Sequence, residues 1–345
     1  MGGGGAMAYP AWVKHRAAAP AEASDRGLVF AGVLDGQGGV SLRDWDGVRG
    51  WRPSEGVLWA HLDYSYEDSR TWLTRESGVD LVACAALLSE DPRPRVLAIG
   101  DCMLVIFRGI NSNSGSQPED MVAIRMWIEP TRIVTLRHRR IAAAQELWES
   151  LLAGRGPVGP ADFLIKMCES ILGLIGHMAS SIDDTVDELE DDALTEHREE
   201  LRTRLAQVRR QAIALRRYVA PQREALTRLQ GERASWLSAD GRARLSEAID
   251  RMARVVEQLD AARDRAAVTQ EELASRTSEV ISRRLYVLSL IAAVFLPLSL
   301  IAEVVGSGVG GVPLRDSPYG FLVMIGTLAG LSGVLMWLFR RLGWL

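Results

Sequence analysis

Apart from Tyr286 near its start, the apolar run from Leu285 to Val305 carries three polar side chains: Ser289, Ser299 and Glu303. A charge in the hydrocarbon layer of a membrane is unfavourable by a few kcal/mol, so one that is kept there has a role. Placed at about 100° per residue with Glu303 at zero, Ser299 falls at about −40°, Ala292 at about −20°, Leu296 at about +20° and Ser289 at about +40°. The polar groups share one arc of about 80°, and Ser282 and Ser278 continue it below the run. A narrow polar stripe on a membrane helix belongs against protein or water. A single pair of helices cannot enclose a water path, so the stripe predicts several copies around an axis, most simply a closed ring. Each copy would then place one Glu303 near one mouth of a pore lined also by Ser299, Leu296, Ala292 and Ser289. Rings of carboxylates are a physical route to cation selectivity. Crowded carboxylates repel one another, which links cation entry to proton release. The other reading is that Glu303 reaches the outer headgroups or pairs with Arg315 of the following loop.

A second candidate is the acidic segment Asp183, Asp184, Asp187, Glu188, Glu190, Asp191 and Asp192, seven carboxylates in ten residues. A charge run of this kind reads first as a solvated helix face. It also reads as a surface that concentrates divalent cations, for which oxygen ligands suit Mg²⁺ or Mn²⁺. No Walker loop, GxSxG elbow, HExxH pair or Cys/His cluster of zinc spacing occurs, and no catalytic constellation remains from which to build an enzyme. His15, His61, His138, His177 and His197 are scattered, and Cys84, Cys102 and Cys168 form no CxxC pair. These cysteines read as reduced thiols filling a core. The net charge of −4 provides no global basic field for nucleic acid.

The elements that position these residues follow from periodicity and composition. Two runs of 21 residues, 285–305 and 319–339, would each span about 31 Å as helix, the thickness of a bilayer's hydrocarbon layer. Arg276, Arg283 and Arg284 precede the first and Arg340 and Arg341 follow the second, while the loop between carries Arg315 beside Asp316. The positive-inside rule then places both termini in the cytoplasm, and Tyr286, Tyr319, Trp337 and Trp344 fall near the interfaces. Gly326, Gly330 and Gly333 suit close packing of the outer helix on the inner one, or are ordinary membrane-helix composition. Residues 1–27 read as a disordered leader. Residues 28–157 alternate strand-like and helix-like segments, beginning with a hairpin at the Asp-Gly turn of LVFAGVLDGQGGV, and form a cytoplasmic α/β domain. Residues 158–284 read as a cytoplasmic helical stalk. One helix runs through the acidic segment, a second is interrupted or kinked near Pro221, and a third is capped at Ser238. The third keeps Leu245, Ala248, Met252, Val255, Leu259, Ala262 and Ala266 on one face and could continue unbroken into the span. The remaining divisions are the outer loop 306–318 and the tail 340–345.

FLPLSLIA at 295–302, GGVP at 310–313, the second span and the basic, aromatic C-terminus resemble the CorA-type metal ion transporters, and within them the zinc transporter ZntB branch. FAGVLDGQGGV, LWAHLDYS, RPRV at 93–96, FRGIN ending at Asn111 and RRYVAPQRE from Arg216 extend the resemblance over nearly the whole chain. It implies an α+β cytoplasmic domain, a long helical stalk and two membrane helices in a homopentamer of a bacterial inner membrane. The partners implied are other copies of the chain, the lipid bilayer and the transported cation. No cofactor is permanently bound, and Zn²⁺ is the cargo, with Mg²⁺, Co²⁺ and Ni²⁺ as further candidates and with coupling to protons. The family carries Gly-x-Asn at the outer pore mouth, where the amide oxygens receive the hydrated cation. This chain has Gly306, Ser307 and Gly308 there, so the amide ring is lost and a carboxylate ring stands less than two turns away. The departure leaves a second expectation open, a diverged and poorly conducting member that acts as a metal sensor or scaffold.

Overall fold

The computed structural model describes residues 26–113, 115–117, 119–193, 198–307 and 318–343. Gly308, most of the expected outer loop, Trp344 and nearly all of the expected leader lie outside them. The chain divides into two compact units, Met1–Gln270 and Glu271–Leu345.

The first unit is built on a seven-stranded sheet of order β2-β1-β3-β7-β6-β5-β4. Its strands are β1 (Leu28–Leu34), β2 (Val40–Leu42), β3 (Val57–Asp63), β4 (Arg95–Ile99), β5 (Cys102–Gly109), β6 (Val122–Ile128) and β7 (Arg132–Arg137). The β1–β2 hairpin closes at the Asp-Gly turn, where the Asp35 carboxylate accepts from the amides of Gln37 at 2.7 Å and Gly39 at 2.8 Å. Those bonds hold the Asp35 carboxyl below its usual range. Gly38 takes φ +98°, and a Cβ there would come within 3.0 Å of the Gly154 carbonyl, so only glycine fits.

The central β3 and β7 pair in parallel, whereas every other pair is antiparallel. Both central strands are buried along most of their length, and their largely apolar sequences, broken only by His61 and Thr135, are what two covered faces demand. One face carries Leu58, Ala60 and Leu62, packed with Trp45 of α1 (Trp45–Gly50), with Trp72 and Leu73 after α2 (Glu67–Thr71) and with Leu87 of α3 (Leu81–Leu87). On the other face Trp59 meets Trp148 of α4 (Ala142–Leu152) edge-on at 5.7 Å and Phe163 of α5 (Pro160–Asp192) at 4.8 Å.

Three long helices complete the unit: α5, α6 (Arg198–Gly231) and the first part of α7 (Ala239–Gly306). Of the two expectations for Pro221, interruption is overturned, and α6 passes through the proline as one helix. A proline removes one donor, and tertiary packing on both sides of it, Val219 and Leu226 among the buried residues, outweighs that loss. Ser238 caps α7, its Oγ accepting from the Gly241 amide at 3.1 Å. Leu245, Met252, Val255 and Leu259 are buried, as are Ala248, Ala262 and Ala266, so the helical spacing does mark the covered face. The helices α5, α7 and α8 (Gly320–Arg341) are all long and apolar enough to cross a membrane. The apolar stretch of α5 is 61% buried inside the unit, whereas those of α7 and α8 contain no fully buried residue. The last two therefore need another apolar environment.

Candidate functional site

The second unit contains the end of α7 and α8. In α7, Ser289, Ala292, Leu296, Ser299 and Glu303 are all exposed, as are Ser278 and Ser282 below them. The half-buried residues of the run are Leu290, Ala293, Val294, Pro297, Leu298, Ile301 and Ala302. Most of these fall between about 80° and 220° from Glu303 at helical spacing. In α8 the covered residues are Gly320, Met324, Leu328, Leu331, Ser332, Leu335 and Phe339, again one face. Partial burial of one face on each of two helices is what mutual packing gives, and it leaves the serine and glutamate stripe turned away from that seam.

The glycine expectation is corrected here. Gly326, Gly330 and Gly333 are exposed, and a methyl group added at any of them would meet no other atom. At about 100° per residue they lie on the face opposite Leu328 and Leu335. The covered face of α8 is therefore made by other residues, chiefly Leu328, Leu331, Leu335 and Phe339.

Helix α7 ends at Gly306. The Ser307 amide donates to the Glu303 carbonyl at 2.8 Å and its Oγ to the Val304 carbonyl at 2.8 Å, which satisfies two terminal carbonyls. The serine hydroxyl proton is thus turned back onto the helix, and Gly306 and Ser307 are both exposed. Gly308 and Arg315, the alternative partner of Glu303, lie outside the described residues. Among the described residues Glu303 forms no ion pair.

The acidic segment sits in the first unit and differs from expectation. Asp184, Asp187, Glu188, Asp191 and Asp192 are exposed, but Asp183 and Glu190 are half-buried. Arg265 of α7 is held among three of the seven carboxylates: its Nη1 donates to Asp183 at 3.1 Å, its Nε to Glu190 at 3.2 Å, and its Nη2 to Asp187 and Glu190. Hydrogen bonds from Glu190 first, then Asp187, push its pKa up. Gln258 adds a bond to Asp183 at 3.3 Å, and Asp192 pairs with Arg204 of α6 at 3.6 Å. The run is therefore partly a seam between helices, and a fixed guanidinium occupies the place a cation would take. Arg265 lies about 75 residues away in sequence, so its role was legible only once α5 and α7 were known to run side by side. No group of three His, Cys, Asp or Glu among the described residues could hold a metal ion.

The scattered histidines and cysteines fit structural roles. His61 is buried, with Nδ1 2.7 Å from Thr135 Oγ1 and its ring stacked on Phe30 at 4.6 Å. Burial, then Arg137, hold it well below the usual histidine range. His138 bonds Ser65 at 2.8 Å and His177 bonds the Gly173 carbonyl at 2.7 Å, while His15 and His197 lie outside the described residues. Cys84 and Cys168 are buried and Cys102 half-buried, and burial pushes all three thiols up.

Comparison with known proteins adds lineage to this geometry. The family profile described as "CorA-like Mg2+ transporter protein" matches residues 54–341. The zinc transport protein ZntB of Pectobacterium carotovorum subsp. carotovorum (strain PC1) is 35% identical over 325 residues, covering 94% of this chain and 98% of the relative. The divalent cation transporter CmaX of Pseudomonas aeruginosa (strain PAO1) is 35% identical over 329 residues, covering 93% of this chain and 98% of the relative. The structure of the full-length CmaX protein matches with a TM-score of 0.82 at 32% identity, over 94% of this chain and 100% of that one.

Proposed function

The chain belongs to the CorA-like family, and from that premise we propose that it carries divalent cations across a membrane, Zn²⁺ first among them, through a pore on the axis of a homopentamer. The observation that carries the pore assignment is the exposure of Ser289, Ala292, Leu296, Ser299 and Glu303 on the face of α7 turned away from the covered seam. A polar stripe left bare by its own hairpin is unfavourable in lipid and is accommodated when copies of α7 surround a common axis. Residues 285–305 then form the inner wall and 319–339 the outer one, with 306–318 outside the cell. The sheet domain 28–157, the helical segment 158–284 and both termini are cytoplasmic. Glu303 receives the cation near the outer mouth, above Gly306, Ser307 and Gly308, where the family's amide is absent. Proton-coupled uptake follows if cations displace protons from that ring.

Uptake of Zn²⁺, Mg²⁺, Co²⁺ and Ni²⁺ by proteoliposomes, with and without a pH gradient, tests this reading. Saturable Zn²⁺ uptake accelerated by an inward proton gradient is the expected outcome. Gly308 in place of the amide favours a second reading, a metal-sensing or scaffolding member that conducts poorly. Absence of uptake for all four ions in correctly assembled protein would establish that reading instead.

A further inference from the structure

Two deeply buried cations sit diagonally on neighbouring strands. Arg125 of β6 is 2% exposed and Arg108 of β5 is 7% exposed, and the register sets Ile106 opposite Arg125 and Arg108 opposite Ala123. With Tyr64 they line a cavity of about 260 Å³ in the first unit. A guanidinium taken out of water without a counter-ion is unfavourable by several kcal/mol, and like charges set diagonally add to that.

Elsewhere on the sheet the chain solves this problem with a carboxylate. Arg132 grips Glu129 through Nε at 3.0 Å and Nη2 at 2.7 Å. Arg125 has no such partner among the described residues. Its Nη2 donates to the Ser89 carbonyl at 2.7 Å and more weakly to that of Glu90 at 3.4 Å, and its guanidinium lies 4.5 Å from the centre of the Tyr64 ring. Its Nε is buried with no acceptor, as is the Nε of Arg108. The other Arg108 nitrogens are committed to the carbonyls of Met121 at 2.9 Å and Pro92 at 3.0 Å and to Asp91. Burial above all holds Arg125 below the usual arginine range, against the opposing pull of Tyr64.

We propose that this cavity binds a small tetrahedral oxyanion, inorganic phosphate or the phosphate of a small phosphomonoester, on the guanidinium of Arg125. With Nη2 turned to carbonyls and Nε covered, the guanidinium of Arg125 still lines the cavity and offers its charge and a remaining N–H to an oxygen of such an anion. The ring of Tyr64 holds the guanidinium plane from one side, and Arg139, exposed at the rim, adds a third cation. Three carboxylates also line the cavity. Asp91 is already bound by Arg108, and Glu90 and Asp120 are exposed to solvent, which screens them. The volume holds roughly nine water molecules at about 30 Å³ each. It falls just below the roughly 300 Å³ at which sites for larger organic ligands begin, a size that matches a small anion. The inference is independent of cation transport.

Calorimetric titration of the full-length protein in detergent, at ionic strength held constant with chloride, tests it. Inorganic phosphate in one arm and glycerol phosphate in the other distinguish a free ion from an esterified one, and saturable binding in at least one arm is expected. Arg125→Gln should weaken that affinity by about ten-fold or more, the scale of one charge-assisted hydrogen bond. Arg139→Gln, on an exposed side chain, should weaken it about two- to five-fold. If Arg125→Gln does not fold, Arg125→Lys keeps the charge, removes the fork and should also weaken binding. Absence of saturable binding of both ligands to the wild-type chain overturns the proposal. So does affinity unchanged in Arg139→Gln and in whichever Arg125 variant folds.

Discussion

Glu303→Gln keeps the shape and hydrogen-bonding capacity of the side chain and removes its charge. If the glutamate ring concentrates cations at the outer mouth, divalent flux into proteoliposomes should fall roughly ten-fold or more, the scale on which focused charge raises local counter-ion concentration. The pH dependence of flux should flatten while the oligomer stays intact. Unchanged flux in a normally assembled mutant would show that Glu303 has no part in permeation. His61 makes a prediction of a different kind. Burial, with Arg137 nearby, depresses its folded pKa well below the 6.5 of a free histidine, so the unfolded chain takes up the proton first. The contribution to stability is then fully present above pH 6.5 and is lost as pH falls below it toward the folded pKa. The melting midpoint of the first unit should fall between about pH 7.5 and about pH 5.5, a window in which carboxylates remain largely ionised. His61→Gln should make that fall smaller, and an equal fall in the variant would sink the assignment.

At the scale of elements, α5 and α7 meet through a charge network as well as an apolar seam. Arg244 pairs with Asp162 and Glu169 at 3.1 Å, and Arg265 serves Asp183, Asp187 and Glu190. The Arg265 side chain is 37% exposed, so each of its pairs is screened and contributes at most about 1 kcal/mol. Arg265→Gln should therefore destabilise the first unit by about 1 kcal/mol at low salt and by less at high salt, read from denaturant midpoints at two ionic strengths. A salt-independent loss would point to packing by the arginine stem rather than to its charge. The covered faces of α7 and α8 are the opposite case, mostly aliphatic side chains with Ala293, Ala302 and Ser332 among them and with Gly326, Gly330 and Gly333 outside. Without a hydrophobic effect between helices in lipid, such a seam is held by van der Waals contact.

For the whole molecule, two helices with bare apolar surface and one bare polar stripe cannot form a water-filled path alone. Mass measurement of the detergent-solubilised protein should give a ring of copies, five by the family resemblance, with cross-linking between cysteines introduced at Ser299 joining neighbouring chains. A stable monomer or dimer would overturn the ring and with it the shared pore.

The amino-acid sequence alone determines features that depend on neighbours along the chain. The length and composition of Leu285–Val305, the Asp-Gly turn after β1, the Ser238 cap and the covered face of Leu245, Met252 and Leu259 all follow from local geometry repeated every two or every 3.6 residues. The placement of Glu303 with Ser299 and Ser289 on one arc belongs to the same class. What tertiary structure alone decided depends on partners distant in sequence. The parallel pairing of β3 with β7 joins strands about 75 residues apart in sequence, and Arg265 reaches carboxylates as distant as that. Arg125 reads in the sequence as one more charge in a strand, and only the sheet shows it buried, with no carboxylate ion pair among the described residues. The close-packing reading of Gly326, Gly330 and Gly333 failed within the chain for the same reason, which leaves ordinary membrane-helix composition. A helical period says which residues share a face, but which face is covered is settled by the element that packs on it.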